Sequence, residues 1–408
     1  MKFFKQTIRD VPLDHATILV RADYNVPLNA KGEISDDLRI KASLPTLEYL
    51  LQRGCKVVIM SHLGRPDGKR NDAYSLEVVA GRLAKLLGRS IRFVDDCKGD
   101  RVRQVVKRAP KNSIILLENL RYYPEEEAND HDFAKQIARD TSARYFVQDG
   151  FGVVHRAHAS TDAITLCLPS VSGLLLEKEY TTITNAMAEP KRPLVAIMGG
   201  AKVSDKIAVI ERFVAQADHI LIGGAMANTF LRYQQKPVGN SKVETDQDDV
   251  LKAIYKAVET KSGEFSADAF LHLPTDVAVA REIDPAAKRR VIGIDEVAEE
   301  DIILDIGDKT IEAYTEILQT AGTVIWNGPV GYSEIPAFAH GSARIALALA
   351  STPEVTSIVG GGDTADFVLK WDGNEGQSFT HVSTGGGAGL DLMAGKKLPG
   401  VERLLDAR

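Results

Sequence analysis

The chain has 408 residues, too many for one ordinary hydrophobic core, and a length of about 100 to 200 residues per domain indicates two domains. Its hydrophobic fraction of 44%, charged fraction of 26% and formal net charge of -6 are typical of a globular protein and argue against nucleic acid as a main partner. The three cysteines are far apart without a C-x-x-C motif, and neither a signal peptide nor an apolar run of about 18 residues is recognisable, so we expect a cytoplasmic protein with no membrane segment.

Short apolar, β-branched runs recur along the chain, each followed by a polar or glycine tip and then by a helical pattern. Such runs are typical of buried parallel strands and predict an α/β fold. In chain order they are "TILVRAD", "KVVIMSH", "SIILLEN" and "RYFVQD", then "LVAIMGG", "HILIGG", "TVIWNGP", "SIVGGG" and "HVSTGGG". Between the two sets, apolar residues from Leu176 to Met187 recur at helical spacing until Pro190, which predicts a connecting helix.

The strand tips of the first half carry basic and amide side chains. Ligands of open parallel sheets bind beyond the carboxyl ends of the strands, and guanidinium groups bind carboxylate and phosphate oxygens bidentately, so converging arginines predict a small anionic substrate. For a single arginine a surface ion pair remains an alternative, as between Arg121 and Glu118. His155 and His158 suggest a metal, but the absence of a further ligand at suitable spacing favours structural roles. The tip residues are Asp23, Asn25, Arg39, His62, Arg65, Arg121 and Arg156.

The tips of the second half carry glycine instead, in "MGGAKVSDK", "IGGAMANTF", "VGGGDTADF" and "TGGGAGLDL". Glycine lets backbone amides approach phosphate oxygens closely, and a helix N-terminus adds a partial positive charge. An isolated glycine after a strand is equally well explained by a tight turn. Four such tips together predict a nucleotide site.

Charged residues beside these glycines support a phosphate ligand. Lys202 and Lys206 are four apart around a predicted helix start, where the helix dipole disfavours cations unless an anion binds. The alternative is two solvated lysines near Asp205. Asp363 follows three glycines and is a candidate Mg²⁺ ligand, a helix N-cap, or both.

A nicotinamide dehydrogenase is a competing interpretation, because residues 360–365 match the loose G-x-G-x-x-A pattern. The strand that follows ends in Ser383 and Thr384, whereas the dinucleotide fingerprint places an acidic residue there, about 20 residues on, for the ribose. No G-x-x-x-x-G-K-[ST] sequence is present either. The glycines are therefore expected to hold phosphates by another route.

The chain resembles the phosphoglycerate kinase family from end to end. The motifs that carry the resemblance are "VRADYNVPL", "SHLGRP", "LLENLRYYPEEE", "GFGVVHRAHAST", "GGAKVSDKI", "WNGPVG", "VGGGDTA", "STGGGAG" and "GKKLPGV". The resemblance implies reversible phosphoryl transfer from 1,3-bisphosphoglycerate to Mg-ADP, giving 3-phosphoglycerate and Mg-ATP. The enzyme would act as a monomer in glycolysis and gluconeogenesis. The resemblance also implies two Rossmann-like three-layer α/β/α domains with parallel sheets, a connecting helix, and an active site in an interdomain cleft that closes by hinge bending.

The resemblance also implies boundaries and roles. Residues 1–173 would bind phosphoglycerate, with the tail 393–408 packed back on them; residues 174–190 would form the hinge helix, and 191–392 would bind nucleotide. The implied catalytic residues are Arg39, Lys202, Gly362 and Gly386. The implied phosphoglycerate-binding residues are Asp23, Asn25, Arg39, His62, Leu63, Gly64, Arg65, Arg121 and Arg156. The implied nucleotide-binding residues are Gly200, Ala201, Lys206, Gly223, Gly224, Pro329, Glu334, Gly361, Gly362, Asp363 and Thr364, with Asp363 as the ligand of Mg²⁺.

The chain departs from the family pattern where the resemblance places the nucleotide base. Ile303 stands where the family usually has the glycine of W-M-G-L-D-I-G, and Asn228 stands where an aromatic residue is common. A relative that binds anions without transfer is the remaining alternative. The joint presence of Arg39, Lys202, Lys206 and Asp363 favours catalysis, because binding alone does not need all four.

Overall fold

The computed structural model describes residues 2–262 and 267–407, so Met1, Arg408 and residues 263–266 of the predicted domain ranges lie outside the described residues. The chain divides into two compact units. Unit 1 comprises Met1–Thr182 and Lys396–Arg408, and unit 2 comprises Ile183–Gly395. The C-terminal segment belongs to unit 1, where Lys5 donates a hydrogen bond from Nζ to Asp406 Oδ1 at 2.6 Å.

Unit 1 contains a six-stranded parallel sheet in the order β3-β4-β2-β1-β5-β6. Its strands are β1 (Thr17–Arg21), β2 (Lys56–Met60), β3 (Ile91–Val94), β4 (Ile114–Leu117), β5 (Tyr145–Gln148) and β6 (Ser170–Ser172). The helices are α1 (Leu38–Gln52), α2 (Glu77–Leu87), α3 (Asp100–Arg108), α4 (Pro124–Glu127), α5 (His131–Thr141) and α6 (Leu174–Ala188), the last of which contains the boundary with unit 2.

Both faces of this sheet are buried, which explains the unbroken apolar runs. Alternate residues of one strand enter different cores: Ile18 and Val20 pack on one face with Leu47, whereas Leu19 packs on the other with Phe146. The residues that follow each strand are released from this apolar requirement. The strand ends are therefore the positions at which polar function is compatible with the fold.

Unit 2 is built around a second six-stranded parallel sheet, in the order β15-β14-β13-β7-β8-β9. Its strands and those of a smaller sheet are β7 (Leu194–Met198), β8 (His219–Ile222), β9 (Leu271–His272), β10 (Asp276–Ala280), β11 (Arg290–Gly293), β12 (Ile302–Ile306), β13 (Thr323–Asn327), β14 (Thr356–Gly360) and β15 (His381–Val382). The helices are α7 (Ile207–Gln216), α8 (Gly224–Tyr233), α9 (Asp248–Ser262), α10 (Asp308–Thr320), α11 (His340–Ala350), α12 (Gly362–Asp372), α13 (Gly387–Met393) and, in unit 1, α14 (Pro399–Glu402).

The smaller sheet is antiparallel, with the order β11-β10-β12, and the sequence analysis did not predict it. Its central strand β10 is followed by neither a glycine tip nor a helix, whereas β12 does have an apolar run followed by Gly307 and α10 and was overlooked. The edge strands β3, β6 and β9 were missed as well, since they are short or half-exposed. The two parallel sheets agree with the predicted α/β fold class.

Each parallel sheet has a point at which the chain reverses its direction of strand addition. In unit 1 the strands β1 and β5 flank that point, and in unit 2 it lies between β7 and β13. Crevices form there because the connections on either side lead away to opposite faces of the sheet. Among the described residues, no helix combines the length and the apolarity needed to cross a membrane.

Candidate active site

The first cluster of charged residues lies beyond β1 in unit 1. Asp23 is only 7% exposed, and its carboxylate forms an ion pair with Arg39 in the first turn of α1. Burial raises the pKa of Asp23, but the interactions with Arg39, His62 and Arg21 together lower it to about 2. Asp23 is therefore ionised at neutral pH and fixes the Arg39 guanidinium beside the sheet edge.

The loop after β2 is fixed by side chains from neighbouring strand ends. Asn25 accepts a hydrogen bond at Oδ1 from the Gly64 amide at 2.8 Å, and Arg121 donates from Nη1 to the Gly64 carbonyl at 2.9 Å. Asn119 donates from Nδ2 to the carbonyl oxygen of Leu63 at 2.7 Å. The structure thus brings together the tips of β1, β2 and β4, as the sequence predicted for a common sheet edge.

Arg121 does not form the surface ion pair with Glu118 that the sequence left open. The carboxylate of Glu118 instead accepts hydrogen bonds from Ser75 Oγ and from the Leu76 amide, at 2.8 and 2.9 Å. Arg121 is only 5% exposed, and its Nε lies 3.1 Å from Glu127 Oε1. The local spacing suggested the wrong partner because Arg121 lies in a turn after Glu118 that directs the two side chains to different neighbours.

Positive charge is concentrated at this edge. Burial lowers the pKa of Arg121, and the nearby charge of Arg156 lowers it further. Burial also holds the pKa of His62 well below its usual range, with the cations Arg21, Arg121 and Arg39 acting in the same direction, so its imidazole is neutral. Several guanidinium groups surround the neutral His62, and this cluster of positive charge attracts an anion.

Arg156 and Arg65, two predicted site residues, and His158, for which a structural role was expected, differ in their surroundings. Arg156 donates a hydrogen bond from Nε to His155 Nε2 at 3.2 Å and is half-buried. Arg65 is exposed, and the contacts described above do not include it. His158 is buried, and burial lowers its pKa to about 4.

The sequence analysis overlooked Arg21, which lies inside the apolar run of β1. It is 1% exposed; its Nε donates to Ser160 Oγ at 2.7 Å, and its Nη2 lies 3.8 Å from Glu126 Oε1 and 3.3 Å from His62 Nδ1. An arginine within an otherwise apolar strand was the available signal. Arg21 positions His62 from below the sheet edge.

The second cluster centres on Lys206, at the reversal point of the unit 2 sheet. Its Nζ donates to the carbonyl oxygens of Gly199 and Asn327, at 2.5 and 3.2 Å, and so bridges the ends of β7 and β13. Burial lowers the pKa of Lys206 to about 8, while Asp363 and Asp205 act to raise it. The interpretation as a solvated lysine is therefore wrong for Lys206, although Lys202 is exposed.

Backbone contacts hold the glycine tips of unit 2 against one another. The amide of Gly200 donates to the Pro329 carbonyl at 2.9 Å, and the amide of Gly224 donates to the Val330 carbonyl at 2.7 Å. Gly328 has a φ of +95°, and a Cβ there would lie 2.3 Å from the Gly199 oxygen. This packing requires glycine, because no side chain fits between the backbones of Gly199 and Gly328.

The tip of β14 joins the same cluster. The hydroxyl oxygen of Thr364 accepts from the Gly328 amide at 2.7 Å. Gly361, with a φ of +89°, occupies the N-cap position of α12, so the interpretation of Asp363 as the N-cap is wrong. Asp363 lies in the first turn of the helix with an exposed side chain, one residue after Gly362.

Asn327 is a candidate that the sequence analysis missed. Its Nδ2 is buried and has no hydrogen-bond partner, and a Cβ at Gly360 or Gly361 would lie 3.4 Å from it. A buried donor without an acceptor is costly unless a ligand supplies one. The signal in the sequence was its position as the last residue of β13, directly before Gly328.

Glu244 modifies the predicted phosphate site near α7. Its Oε2 accepts hydrogen bonds from the amides of Val203 and Ser204, at 2.8 and 3.1 Å. The turn before α7 therefore already has an anion, which offsets the partial positive charge there. These two amides are not available to a phosphate while Glu244 remains in place.

The remaining predicted nucleotide residues differ in position. The Gly223 amide donates to the Met198 carbonyl at 2.9 Å, which places it in the cluster. Ala201 and Glu334 are exposed, and Gly386 has a φ of +49° with open space where a Cβ would stand. The contacts given above do not include these last three residues.

The described residues contain no group of three or more His, Cys, Asp or Glu side chains arranged to hold a metal. Magnesium in nucleotide sites is bound through one or two carboxylates together with substrate phosphates and waters. The single exposed carboxylate of Asp363, near the Lys206 ammonium, fits that donor set. The donor set at the start of α12 is thus compatible with a magnesium–nucleotide complex.

Comparison with known proteins gives one consistent result. The family model described as phosphoglycerate kinase matches residues 8–396. The chain is 45% identical over 402 residues to the phosphoglycerate kinase of Moorella thermoacetica, covering 98% of this chain and 99% of that protein. It is also 45% identical over 399 residues to that of Dictyoglomus turgidum, covering 98% of each.

Solved structures agree with the sequence comparisons. Phosphoglycerate kinase from Coxiella burnetii is similar with a TM-score of 0.82 and 35% identity, covering 98% of both chains. That of Pyrococcus horikoshii is similar with a TM-score of 0.84 and 31% identity, again covering 98% of both chains. The similarity therefore extends over nearly the whole chain in both sequence and fold.

Proposed function

The chain belongs to the phosphoglycerate kinase family, and we propose that it catalyses the reversible transfer of a phosphoryl group from 1,3-bisphosphoglycerate to ADP, giving 3-phosphoglycerate and ATP. This is a phosphotransferase reaction of glycolysis and gluconeogenesis with a carboxyl group as acceptor. The observation that carries the proposal is the Lys206 ammonium group, held between the ends of β7 and β13 among glycines. A cation placed there has a phosphate ligand as its natural partner.

Unit 1 holds the phosphoglycerate. Arg39 and Arg121 are aligned by Asp23 and by Gly64, so their guanidinium groups are positioned before the substrate arrives. Arg156 adds a third positive charge. His62 and Arg65 lie together on the loop after β2. Preorganised guanidinium groups bind carboxylate and phosphate oxygens strongly because little side-chain entropy remains to be lost.

Unit 2 holds the nucleotide. The Lys206 ammonium and the unpartnered Asn327 Nδ2 lie beside the same glycine tips and serve as donors to phosphate oxygens. Gly361, Gly362 and Thr364 form the turn into α12, whose N-terminus favours negative charge. Backbone amides, one ammonium and one carboxamide then replace the P-loop that the sequence lacks.

Transfer requires positioning and neutralisation of charge more than covalent chemistry. Arg39 from unit 1 and the exposed Lys202 from unit 2 supply positive charge to the phosphoryl group in the transition state of transfer. The amides at Gly362 and Gly386 act as further donors to its oxygens. Binding of the two substrates in the ground state would not need all of these groups.

Magnesium accompanies the nucleotide, and Asp363 is the residue that would hold it. When bound, the ion neutralises phosphate charge. Asp363→Ala should raise the Mg²⁺ concentration needed for half-maximal activity several-fold. Asp366→Ala is the matched control on the same helix, because Asp366 forms an ion pair with Lys370 at 2.7 Å. Equal magnesium requirements in both variants would remove Asp363 as a ligand.

A coupled assay of ATP formation from ADP and 1,3-bisphosphoglycerate, with and without Mg²⁺, tests the activity directly. We expect turnover that depends on magnesium and on both substrates. Binding of both substrates without any ATP formation would identify a relative that has kept the sites and lost the transfer.

The assembly and the cellular location of the chain are separate proposals. We propose a monomer in the cytoplasm, without nucleic acid or membrane partners. The three thiols of Cys55, Cys97 and Cys167 are free, which fits a reducing compartment. Sedimentation of the purified chain checks the monomer, and fractionation of cells checks the location.

A further inference from the structure

The segment between α8 and α9 brings Glu244 back to the turn that precedes α7. Asn228 on α8 donates a hydrogen bond from Nδ2 to the Lys242 carbonyl at 3.1 Å. The next residue of the helix, Thr229, accepts at Oγ1 from the Glu244 amide, also at 3.1 Å. Both of these side chains are buried, so the backbone around Glu244 is fixed to α8.

The carboxylate of Glu244 binds three donors from a turn that lies 40 residues earlier in the chain. Besides the amides of Val203 and Ser204, it accepts a hydrogen bond from the Ser204 hydroxyl group. Burial raises the pKa of Glu244, but these hydrogen bonds and the charge of Lys202 together lower it below its usual value. Glu244 is therefore ionised at neutral pH and binds the turn as a carboxylate.

The turn held in this way carries Lys202. Val203 directly follows Lys202 and is fully buried, whereas the Lys202 side chain is exposed. On the other side of Lys202, the amide of Gly200 donates to the Pro329 carbonyl at 2.9 Å. The backbone that carries Lys202 is thus fixed from both sides, by Pro329 and by Glu244.

Two effects of Glu244 on the reaction oppose each other. Its negative charge near Lys202 opposes the binding of a phosphate, so charge alone predicts that removing Glu244 strengthens the binding of Mg-ADP. Its hydrogen bonds restrict the turn, so position alone predicts that removing Glu244 slows transfer. Lysine has a long side chain with many rotamers, and fixing its backbone limits the positions that its ammonium group can reach. A displacement of about 1 Å at a reacting group can cost about a hundredfold in rate, which exceeds the few-fold effect of one partly exposed charge.

Resting on the proposed function, we propose that Glu244 is a positioning residue for phosphoryl transfer. Its carboxylate holds the turn of Val203 and Ser204 and thereby places the Lys202 ammonium group for the transition state. Glu244 touches neither substrate in this role and acts through Lys202. The loss on removing Glu244 should therefore fall on kcat rather than on nucleotide binding, and it should disappear when Lys202 is absent.

Steady-state kinetics of ATP formation compares the wild-type chain with Glu244→Ala and Glu244→Gln. Glu244→Ala should lower kcat about tenfold and change the KM for Mg-ADP by less than about threefold. Glu244→Gln should restore most of kcat, because its amide oxygen still accepts hydrogen bonds from Val203 and Ser204. Glu296→Ala is the matched control, because Glu296 Oε2 accepts from the Gly293 amide at 3.0 Å in another short turn of unit 2. The control should leave kcat unchanged.

A second pair of variants tests the route through Lys202. In the Lys202→Ala background, Glu244→Ala should cause no further loss of kcat, whereas independent effects would multiply. A loss of equal size in both backgrounds would therefore overturn the inference. Unchanged kcat with tighter binding of Mg-ADP in Glu244→Ala would overturn it as well, and would identify Glu244 as a residue that excludes phosphate.

Thr229→Val is the variant for the case that Glu244→Ala does not fold. It removes the acceptor of the Glu244 amide and keeps a β-branched side chain of similar size. It should lower kcat about threefold, and this loss should again disappear in the Lys202→Ala background. Unchanged kcat, or a loss that persists without Lys202, would contradict the positioning role.

Wild-type turnover separates this inference from the proposed function. A wild-type chain that forms no ATP would overturn the function and this inference with it. A wild-type chain that forms ATP at a rate unaffected by Glu244→Ala keeps the function and overturns the inference alone.

Discussion

Charged side chains hold one another at the strand tips of unit 1, whereas backbone groups and glycines hold one another at the tips of unit 2. Asp23 fixes Arg39, and Arg121 binds the backbone of Gly64. In unit 2, the carbonyl oxygens of Gly199 and Asn327 fix Lys206. Both sheets are parallel and both place these groups at their carboxyl ends.

The two sets of strand tips show how one fold provides two kinds of anion site. Side-chain sites supply whole charges to a small substrate but need carboxylates and burial to aim them. Glycine-based sites supply partial charges at close range and need space that a single methyl group would occupy. Four measurements of rate or binding test that contrast, in order of decreasing expected effect, and a fifth measures stability.

Replacing Lys202 with Ala should lower the rate of transfer by about a hundredfold or more, with a smaller change in the binding of either substrate. Its charge is needed most in the transition state, where preorganised charges contribute most. Steady-state kinetics of the variant measures this. Lys252→Ala removes an exposed lysine on α9 and should leave turnover unchanged. Near-normal turnover of the Lys202 variant would exclude Lys202 from the mechanism.

Replacing Gly362 with Ala should weaken Mg-ADP binding by about 2 kcal/mol, or thirtyfold, without loss of stability, because a methyl group keeps a phosphate from the nearby amides. A Cβ at Gly362 meets no atom within 4 Å in the free chain. Gly81→Ala, on α2, has the same open surroundings and should bind Mg-ADP normally. Calorimetric titration compares the two, and normal affinity in both places the phosphate elsewhere.

Replacing Arg121 with Gln should raise the dissociation constant of 3-phosphoglycerate about tenfold and leave that of Mg-ADP unchanged. The loss corresponds to a charge-assisted hydrogen bond. Arg53→Gln serves as the control, since Arg53 is exposed and lies 3.4 Å from Asp14. A matching loss of Mg-ADP affinity in the Arg121 variant would contradict the division of labour between the units.

The affinity for Mg-ADP should fall about fourfold between pH 7 and pH 8.5, since only the ammonium form of Lys206 attracts phosphate and its pKa is about 8. The affinity for 3-phosphoglycerate should stay constant, because arginine remains charged. Lys206→Arg should remove the pH dependence of nucleotide binding. A flat nucleotide profile in the wild-type chain would show that the ammonium group does not titrate there.

The lowered pKa of Lys206 also makes the stability of the folded chain depend on pH. In the unfolded chain the pKa of a lysine is about 10.4. The folded state therefore disfavours the charged form of Lys206 relative to the unfolded state. This cost is fully present below pH 8 and is removed as the pH rises from 8 towards 10.4. Thermal unfolding of the wild type and of Lys206→Met over that pH range measures this contribution. The stability of the wild type should rise relative to that of the variant, which has no lysine to titrate at this position.

The parallel strands and the character of their tips could be predicted from local sequence patterns. Apolar runs such as "KVVIM" are required because both faces of the sheet are buried, and that requirement is visible locally. The prediction that Asp23, Asn25 and Arg121 lie at one sheet edge follows from the same rule. The resemblance to a family then indicated roles that neither periodicity nor spacing contains.

The pairing of groups between distant segments could not be predicted in the same way and is seen in the folded chain. Lys206 meets the carbonyl of Asn327 across 121 residues of sequence, and Arg121 pairs with Glu127 although Glu118 is nearer in sequence. Hydrogen bonds and burial depend on contacts between distant segments, and a local pattern carries no information about them. For the same reason the missing hydrogen-bond partner of Asn327 Nδ2 could be recognised only from the folded structure.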